Sequence, residues 1–393
     1  MASLLAGAAV LFASCKKEPM MTVTSNFPIE YTAQGGSDRI ITFISNQDWV
    51  ATTNQDWVRL SPVSGTASSE QQTISVTCDP NQSYDKRTAW VAIEAEGIKR
   101  IVYISQMSVP VLQPKQAVYE ISADSQQFEL EVQSTLDYSV QVDGSWLSRI
   151  ETKAMSDSKV VFNVNANLSG TERTASIVIQ ADKSLADIER IVTVKQAPEK
   201  PGVPVMVDLG LSVKWANINL GAAKCSDAGD FFAWGEVEPK KEFTEENYRF
   251  YSGDPDSPTK YFVYNHNGGT GDGIKDLLPE DDAAVQILGD GWCMPTAEQL
   301  YELFSLSREH VTIDGMPGLK LYGRKNPENW IFLPAPRGFD DTEGDNPLAC
   351  YWGRTGYDVA PFAWMLTVSP KKNTLGIGET RRCFGYTIRP VRE

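Results

Sequence analysis

The residues that could carry chemistry in this chain are few, and their types decide against most catalytic schemes. Histidine occurs only as His266 and His310. A histidine-rich zinc site and a Ser-His-Asp triad therefore both lack support, and no HExxH or paired CxxC spacing is present to hold a metal. Asp281 and Asp282 would serve as glycosidase carboxylates only with a second acid placed across a cleft. Followed by Ala283 and Ala284, they read instead as negative charge at a helix N-terminus, where the helix dipole favours it. No Glu-Pro-Asn or Gln-Pro-Asp triplet with a Trp-Asn-Asp partner is there to bind calcium, and Asn326 to Trp330 (NPENW) reads as a hairpin turn. The sequence thus predicts a non-enzyme with no catalytic residue, no metal and no cofactor.

What remains is aromatic chemistry. A Trp or Tyr ring offers a flat apolar face to the C–H groups of a sugar and keeps a polar tip for a hydroxyl. Trp90, Trp330, Tyr351 and Trp352 are the candidates for glycan contact. Ala89, Val91 and Ile93 form the inward set of their strand, which turns Trp90 outward with Thr88 and Ala92. Tyr351 and Trp352 are adjacent and must point to opposite faces of a strand, so one of them is expected to be exposed. Trp364 shares the parity of Phe362 and Leu366 and is assigned to the core, as are Trp57 and Trp146.

The elements that must position these rings are mostly strands. An internal repeat runs through the first half: Asp48-Trp49 returns as Asp137-Tyr138, Trp57 as Trp146, Arg87-Thr88-Ala89 as Arg173-Thr174-Ala175, and Gln106 as Gln196. Between these markers lie short alternating runs such as Phe128, Leu130 and Val132, separated by turn residues, the pattern of half-buried strands in a β-sandwich. Glu199, Lys200, Pro201, Gly202 and Pro204 read as a short stiff linker over 199–206.

Beyond it, Val207, Leu209, Leu211, Val213 and Trp215 alternate strictly and predict one long half-buried strand. Pro279 to Leu288 reads as a short helix. Thr296 with Gln299 forms a capping box for a second helix that buries Leu300, Leu303 and Phe304. Strands are expected at IFLPA, at Phe362 to Val368 and in the closing FGYTIRPV run.

The chain opens on an uncharged apolar stretch, Ala2 to Ser14, and turns polar after Cys15 at Lys16, Lys17 and Glu18. The stretch is too short to span a bilayer. Ala13 and Ser14 before Cys15 resemble a bacterial lipobox, which implies a signal peptide over 1–14, lipidation of Cys15, a tether over 15–22 and an outer-membrane, surface-exposed location. The formal net charge of -15 argues against nucleic acid, whose phosphates call for a basic surface. With Cys15 acylated, five of the six cysteines remain. Cys78 continues the inward parity of Ile74 and Val76 and is expected as a buried thiol.

WVRLSPVSG, KRTAWVAI and IVYISQ in the first repeat, with the Trp, Asn167, Arg173 and Gln196 landmarks of the second, resemble the BACON domain, an immunoglobulin-like module whose name proposes carbohydrate binding. VDLGLSVKWANINLGA, GDFFAWGE, GDGWCMPTAEQL, IFLPAPRGF and TIRPV resemble the Fibrobacter succinogenes major paralogous domain, a family near the C-type lectin-like fold. The fold class implied is mainly β: two immunoglobulin-like sandwiches, over 23–108 and 111–198, followed by an α+β C-type lectin-like domain over 207–393. Cys293 and Cys383 both interrupt family-like blocks. Among the three pairings open to Cys225, Cys293, Cys350 and Cys383, a bridge between those two is favoured. The function implied is binding of a glycan or glycoprotein by the displayed C-terminal domain. The alternative is a structural or adhesin-type subunit that binds protein, with the sandwiches as spacers.

Overall fold

The computed structural model describes residues 18–25, 27–150, 159–183, 186–265, 267–289, 291–336 and 348–393. Cys15, the expected signal peptide and His266 lie outside the described residues. By the density of its contacts the chain divides into two units. Met1–Gln113, Gln133–Ser139 and Gln180–Glu189 form one, and Pro114–Val132, Val140–Ile179 and Arg190–Glu393 form the other.

The first repeat folds as two facing sheets. One has the order Met21–Val23, Gly36–Ser45, Ser68–Cys78, Val58–Ser61; the other runs Ile29–Tyr31, Ile98–Gln106, Arg87–Ala95, Trp49–Thr53, Ser64–Gly65. The alternation in sequence supplies the inner faces: Ile41, Phe43, Ile74, Val76, Val91, Ile93 and Val102 are completely buried. Each such side chain contributes about 1.5–3 kcal/mol when removed from water. Cys78 is buried as its parity predicts, and burial pushes its thiol up to about 11.

The second repeat has the same plan. Leu112–Pro114, Gln126–Ser134, Lys159–Val164 and Leu147–Arg149 make one sheet; Val118–Ile121, Glu189–Gln196, Arg173–Ala181 and Tyr138–Asp143 make the other. Each copy includes one parallel pairing, Ile29 with Ile104 in the first and Val118 with Thr193 in the second.

The repeat markers are a duplicated polar cluster. Arg87 Nε donates to Gln106 Oε1 at 2.8 Å and Arg173 Nε to Gln196 Oε1 at 2.8 Å. Gln106 Nε2 in turn donates to the carbonyl of Asp79 at 2.9 Å, and Gln196 Nε2 to that of Asn165 at 2.9 Å. The arginines cover the tryptophans, 4.2 Å from the Trp57 ring centroid and 4.7 Å from that of Trp146. Trp146 is buried as expected, whereas Trp57 is only half-buried, although its ring packs against the core and carries Arg87 over it.

Among the described residues, the C-terminal domain combines small sheets with two short α-helices. Met206–Val207, Lys214–Ala216, Val391–Arg392 and Trp292–Cys293 form one sheet; Ser307–Ile313, Met316–Tyr322 and Trp330–Pro334 a second; Ala349–Gly356, Phe362–Ser369 and Thr374–Arg381 a third. The long strand expected from 207 to 215 is instead two short strands that pair antiparallel, Val207 with Trp215. The chain reverses through Gly210, whose φ of 72° is costly for residues with a Cβ. Val207, Leu209 and Val213 are still buried, so the alternation reported burial correctly and extension wrongly.

The expected linker is also built in. Val205 is 3% exposed, and Asn217 Nδ2 donates to Glu199 Oε2 at 2.9 Å.

Two hydrophobic cores lie in this domain. One gathers Val207, Trp215, Leu300, Leu321, Tyr351 and Leu366, and it extends to Ala123 and Ala166 of the second sandwich. The other gathers Phe232, Trp234, Tyr261, Trp352, Cys383 and Ile388. Arg389, fully enclosed, is satisfied without a carboxylate by Asn219 Oδ1 and the carbonyls of Ala216, Asn217 and Phe332; burial pushes its pKa down to about 10. The Cys293–Cys383 bridge is not formed, and all five described cysteines are free. Cys293 packs against the first of these cores and Cys383 lies in the second, so their side chains serve different clusters.

Candidate functional site

Tyr351 and Trp352 do point to opposite faces of their strand, but neither is exposed: they retain 1% and 0% of their surface. The strand runs between the two cores, so each face is covered. Tyr351 donates its hydroxyl to the Pro334 carbonyl at 2.6 Å, and Trp352 donates its indole N–H to the Phe232 carbonyl at 2.8 Å. With ring and polar tip both satisfied inside the protein, neither is available to a ligand, and the expected glycan role of this pair is corrected to packing. Trp330 is half-buried at the start of its strand, with Lys320 Nζ 4.2 Å from the ring centroid, so its open face is already taken by a cation. The NPENW segment forms the turn into that strand, as its sequence predicts, and docks on the second sandwich: Asn329 Oδ1 accepts from the Ala166 N–H and Asn326 Nδ2 donates to Asn165 Oδ1.

The carboxylate pair divides into two structural roles. Asp282 caps the helix Ala283–Leu288, accepting from the N–H groups of Ala284, Val285 and Met294. Asp281 is not a surface helix charge. It is completely buried, 2.7 Å from Lys260 Nζ and 2.8 Å from an Arg249 guanidinium nitrogen, and it accepts from the Tyr261 hydroxyl.

Trp364 departs from expectation in the opposite direction. Leu366 and Val368 of its parity set are buried, but Trp364 is half-buried and lines an open groove of about 600 Å3. Tyr301, 61% exposed on the helix Ala297–Glu302, lines the same groove with Glu298, Glu302, Ser305 and Arg324. The helix is fixed by the capping box that the sequence predicts: Thr296 Oγ1 accepts from the Gln299 N–H and Gln299 Oε1 from the Thr296 N–H. Leu300 and Leu303 bury the opposite side, which leaves Tyr301 outward, stacked on Phe304 at 5.1 Å and 17°.

The polar groups of the groove are held in place. Glu302 Oε2 accepts from both the N–H and the hydroxyl of Ser212 at 2.9 Å, and Nε of the exposed Arg324 donates to Ser305 Oγ at 3.1 Å. Sequence reasoning missed Tyr301 and misassigned Trp364. The helical spacing of Tyr301 between Leu300 and Leu303 was the available signal for its outward face. Among the described residues no cluster of three or more acidic, His or Cys side chains is arranged to hold a metal.

Trp90 lies on the outer face of its sheet, as its parity predicts, and is half-buried. Its directly opposed partner on the next strand is Tyr103, which is 60% exposed. Ala92, expected outward beside it, is completely covered between Thr52 and Ile101 on the flanking strands.

Among solved structures, the chain is similar to the Bacteroides ovatus GH5 xyloglucanase in complex with a XXXG heptasaccharide, at 23% identity and a TM-score of 0.21, over 23% of this chain and 20% of that one. It is similar to a titin Ig tandem, at 7% identity and a TM-score of 0.27, over 46% of this chain and 97% of that one. A three-Ig titin structure matches at 12% identity and a TM-score of 0.31, over 48% and 70%. No curated protein matches the chain. Residues 47–107 and 136–197 match the family described as "BACON: Putative binding domain, N-terminal", so the chain carries two BACON-like domains within a mainly β fold.

Proposed function

We propose that this is a non-catalytic, lipid-anchored outer-membrane protein that binds a glycan or glycoprotein through the groove between Tyr301 and Trp364. Its C-terminal domain is read as C-type lectin-like on the sequence resemblance, and its anchor as Cys15. The observation that carries the proposal is the groove itself: two accessible aromatic rings beside preorganised carboxylate, hydroxyl and guanidinium groups, the combination that stacks on sugar C–H faces and bonds their hydroxyls. Glu298 and Glu302 stand one turn apart on the same helix. This supports binding over glycoside hydrolysis, in which two carboxyl groups flank the scissile bond.

A glycan array with the full chain tests the reading. Tyr301→Ala and Trp364→Ala are each expected to weaken the signal of the bound glycan about five-fold, in line with roughly 1 kcal/mol per aromatic contact. Absence of any glycan signal together with capture of a defined surface protein would instead favour the adhesin alternative. Replacing Cys15 by serine is expected to release the protein from the membrane fraction, and unchanged association would remove the anchor from the proposal.

A further inference from the structure

Among the described residues, the strand Thr374–Arg381 stands at the edge of its sheet, with Phe362–Ser369 as its one neighbour. All eight of its residues pair in unbroken register, from Phe362 with Arg381 to Ser369 with Thr374, so no bulge twists the edge away. The backbone of 375–380 makes no hydrogen bond to described residues beyond that ladder. Ser307–Ile313, an edge of the second sheet, carries the usual guard of charge, with Arg308, Glu309 and His310 in succession. Thr374–Arg381 keeps its charged residues, Glu379 and Arg381, to one end, and Arg381 is already held by Glu245 and Asp256. Its middle is Gly376, Ile377 and Gly378, and Ile377 lines the groove of Tyr301 and Trp364. A row of backbone donors and acceptors is thus open beside that groove.

Directly opposed residues share a face, so Trp364 with Glu379 and Leu366 with Ile377 lie on the face that Leu366 turns into the core with Leu300. A strand added beside Thr374–Arg381 places every second side chain on that same face, in the groove. The Tyr357 ring braces Trp364 edge-on there, with centroids 5.3 Å apart. Among the lining residues Arg324 is the one cation, against Glu298 and Glu302. Glu302 is engaged by Ser212, whereas exposed Glu298 and Glu379 make no ion pair or hydrogen bond with described residues. Lys371 and Lys372 lie beyond Thr374, at the opposite end of the strand from Glu379. We infer that the groove takes an extended basic peptide, which pairs along Thr374–Arg381 as a further strand and sets a lysine or arginine against the Tyr301 and Trp364 rings beside Glu298 and Glu379. This rests on the groove as the binding site and narrows its occupant from a glycan or glycoprotein to the polypeptide of the latter. The open ladder selects a backbone, because a row of N–H and C=O groups at strand spacing is matched by another strand and not by a sugar chain. The carboxylates select the charge, and the aromatic faces attract the same cation.

Fluorescence polarisation with the full chain tests this at about 0.15 M salt, where loose attraction to an acidic protein is screened. The probe is a labelled peptide of alternating threonine and lysine, matched in length to the eight residues of the strand. One control replaces lysine by glutamate; the other methylates the backbone nitrogens of the lysine peptide and keeps every charge. Saturable binding of the lysine peptide is expected, with none for the glutamate peptide and a loss of about ten-fold or more on methylation, which removes the donors of the added ladder. Glu298→Gln with Glu379→Gln should weaken the lysine peptide about five-fold with an unchanged melt, since both side chains are exposed. If that variant melts early, Glu298→Gln alone decides. The inference is overturned if the lysine peptide does not bind, if the glutamate peptide binds equally, or if binding survives either methylation or the loss of the carboxylates. Survival of methylation in particular would mean attraction of a cation to the acidic surface and no added strand. A glycan signal that is lost on Tyr301→Ala, with no peptide bound by wild type, would leave the groove a glycan site and remove the strand. Glycan and peptide signals both unchanged by Tyr301→Ala would remove the groove itself.

Discussion

The guanidinium of Arg87 lies 4.2 Å from the centroid of the Trp57 ring, and Arg173 covers Trp146 in the same way at 4.7 Å. Each arginine also holds a completely buried glutamine, Gln106 or Gln196, whose amide group bonds to backbone carbonyls of facing loops. The markers that make the repeat visible in sequence are therefore the parts of one device. It closes the end of each sandwich, satisfying carbonyls that no strand partner reaches.

Breaking that device should destabilise the sandwich that contains it. Gln106→Ala leaves the Arg87 Nε–H without its acceptor, while the Asp79 carbonyl keeps the bond it accepts from Arg87 Nη2, and a loss of about 1–3 kcal/mol is expected from the unsatisfied group. Arg87→Lys should not restore stability, because lysine lacks the planar fork that bonds the glutamine and covers the ring together. Urea unfolding midpoints of the two variants check both statements, and a midpoint within error of wild type for Gln106→Ala contradicts the first.

Trp352→Ala should unfold the C-terminal domain or cost about 3–5 kcal/mol, the range for emptying a large aromatic site in a packed core. It should do so whether or not ligand is present. Thermal melts with and without a bound glycan separate this outcome from a binding defect, which would show as lost affinity with an intact melt.

Strand alternation made the sandwiches legible, since a period of two on a half-buried sheet has few other readings. The same rule failed at Tyr351 and Trp352 because it assigns faces, not cover: a strand lying between two cores buries both. It failed again from Val207 to Trp215, where a positive-φ glycine turned an apparent long strand back on itself without changing which side chains are buried. The groove was illegible for a related reason. Tyr301 and Trp364 come from a helix and a strand far apart in sequence, and only tertiary packing brings them to one opening.

The second sandwich and the C-terminal domain should melt together. Asp124 Oδ1 accepts from the Met206 N–H at 2.8 Å, Lys214 Nζ donates to the Ser125 carbonyl at 3.0 Å, and Ala123 and Ala166 belong to the core of the C-terminal domain. A fragment over 111–393 is expected to give one calorimetric transition, and a fragment over 203–393 to melt lower or not cooperatively. Two resolved transitions in the longer fragment would show that the shared core contributes little. Asn329→Ala, which removes the acceptor of the Ala166 N–H and the donor to the Asp208 carbonyl, should lower the joint transition.

Asp281 should govern an acid-labile part of the stability. Burial acts to raise its pKa, but the bonds from Lys260 and Tyr261 and the charge of Arg249 outweigh it, so the carboxyl titrates below its ordinary value of 3.8. A carboxylate depressed on folding adds stability that is present above its unfolded pKa and is lost as pH falls through the folded one. The loss therefore falls in the acid range below about pH 4. Asp281→Asn removes that dependence. Because Lys260 and Arg249 are 31% and 47% exposed, solvent screening discounts the cost at neutral pH to about 1–2 kcal/mol. Neighbouring Asp282 is shifted upward, chiefly by burial, so its contribution has the opposite sign and is lost as pH rises through its folded pKa. Unfolding free energies measured from pH 2 to pH 7 should thus show a shallower acid limb for Asp281→Asn than for wild type. An identical slope in the two proteins would mean that the buried ion pair does not titrate with folding and that another carboxylate sets the acid limb.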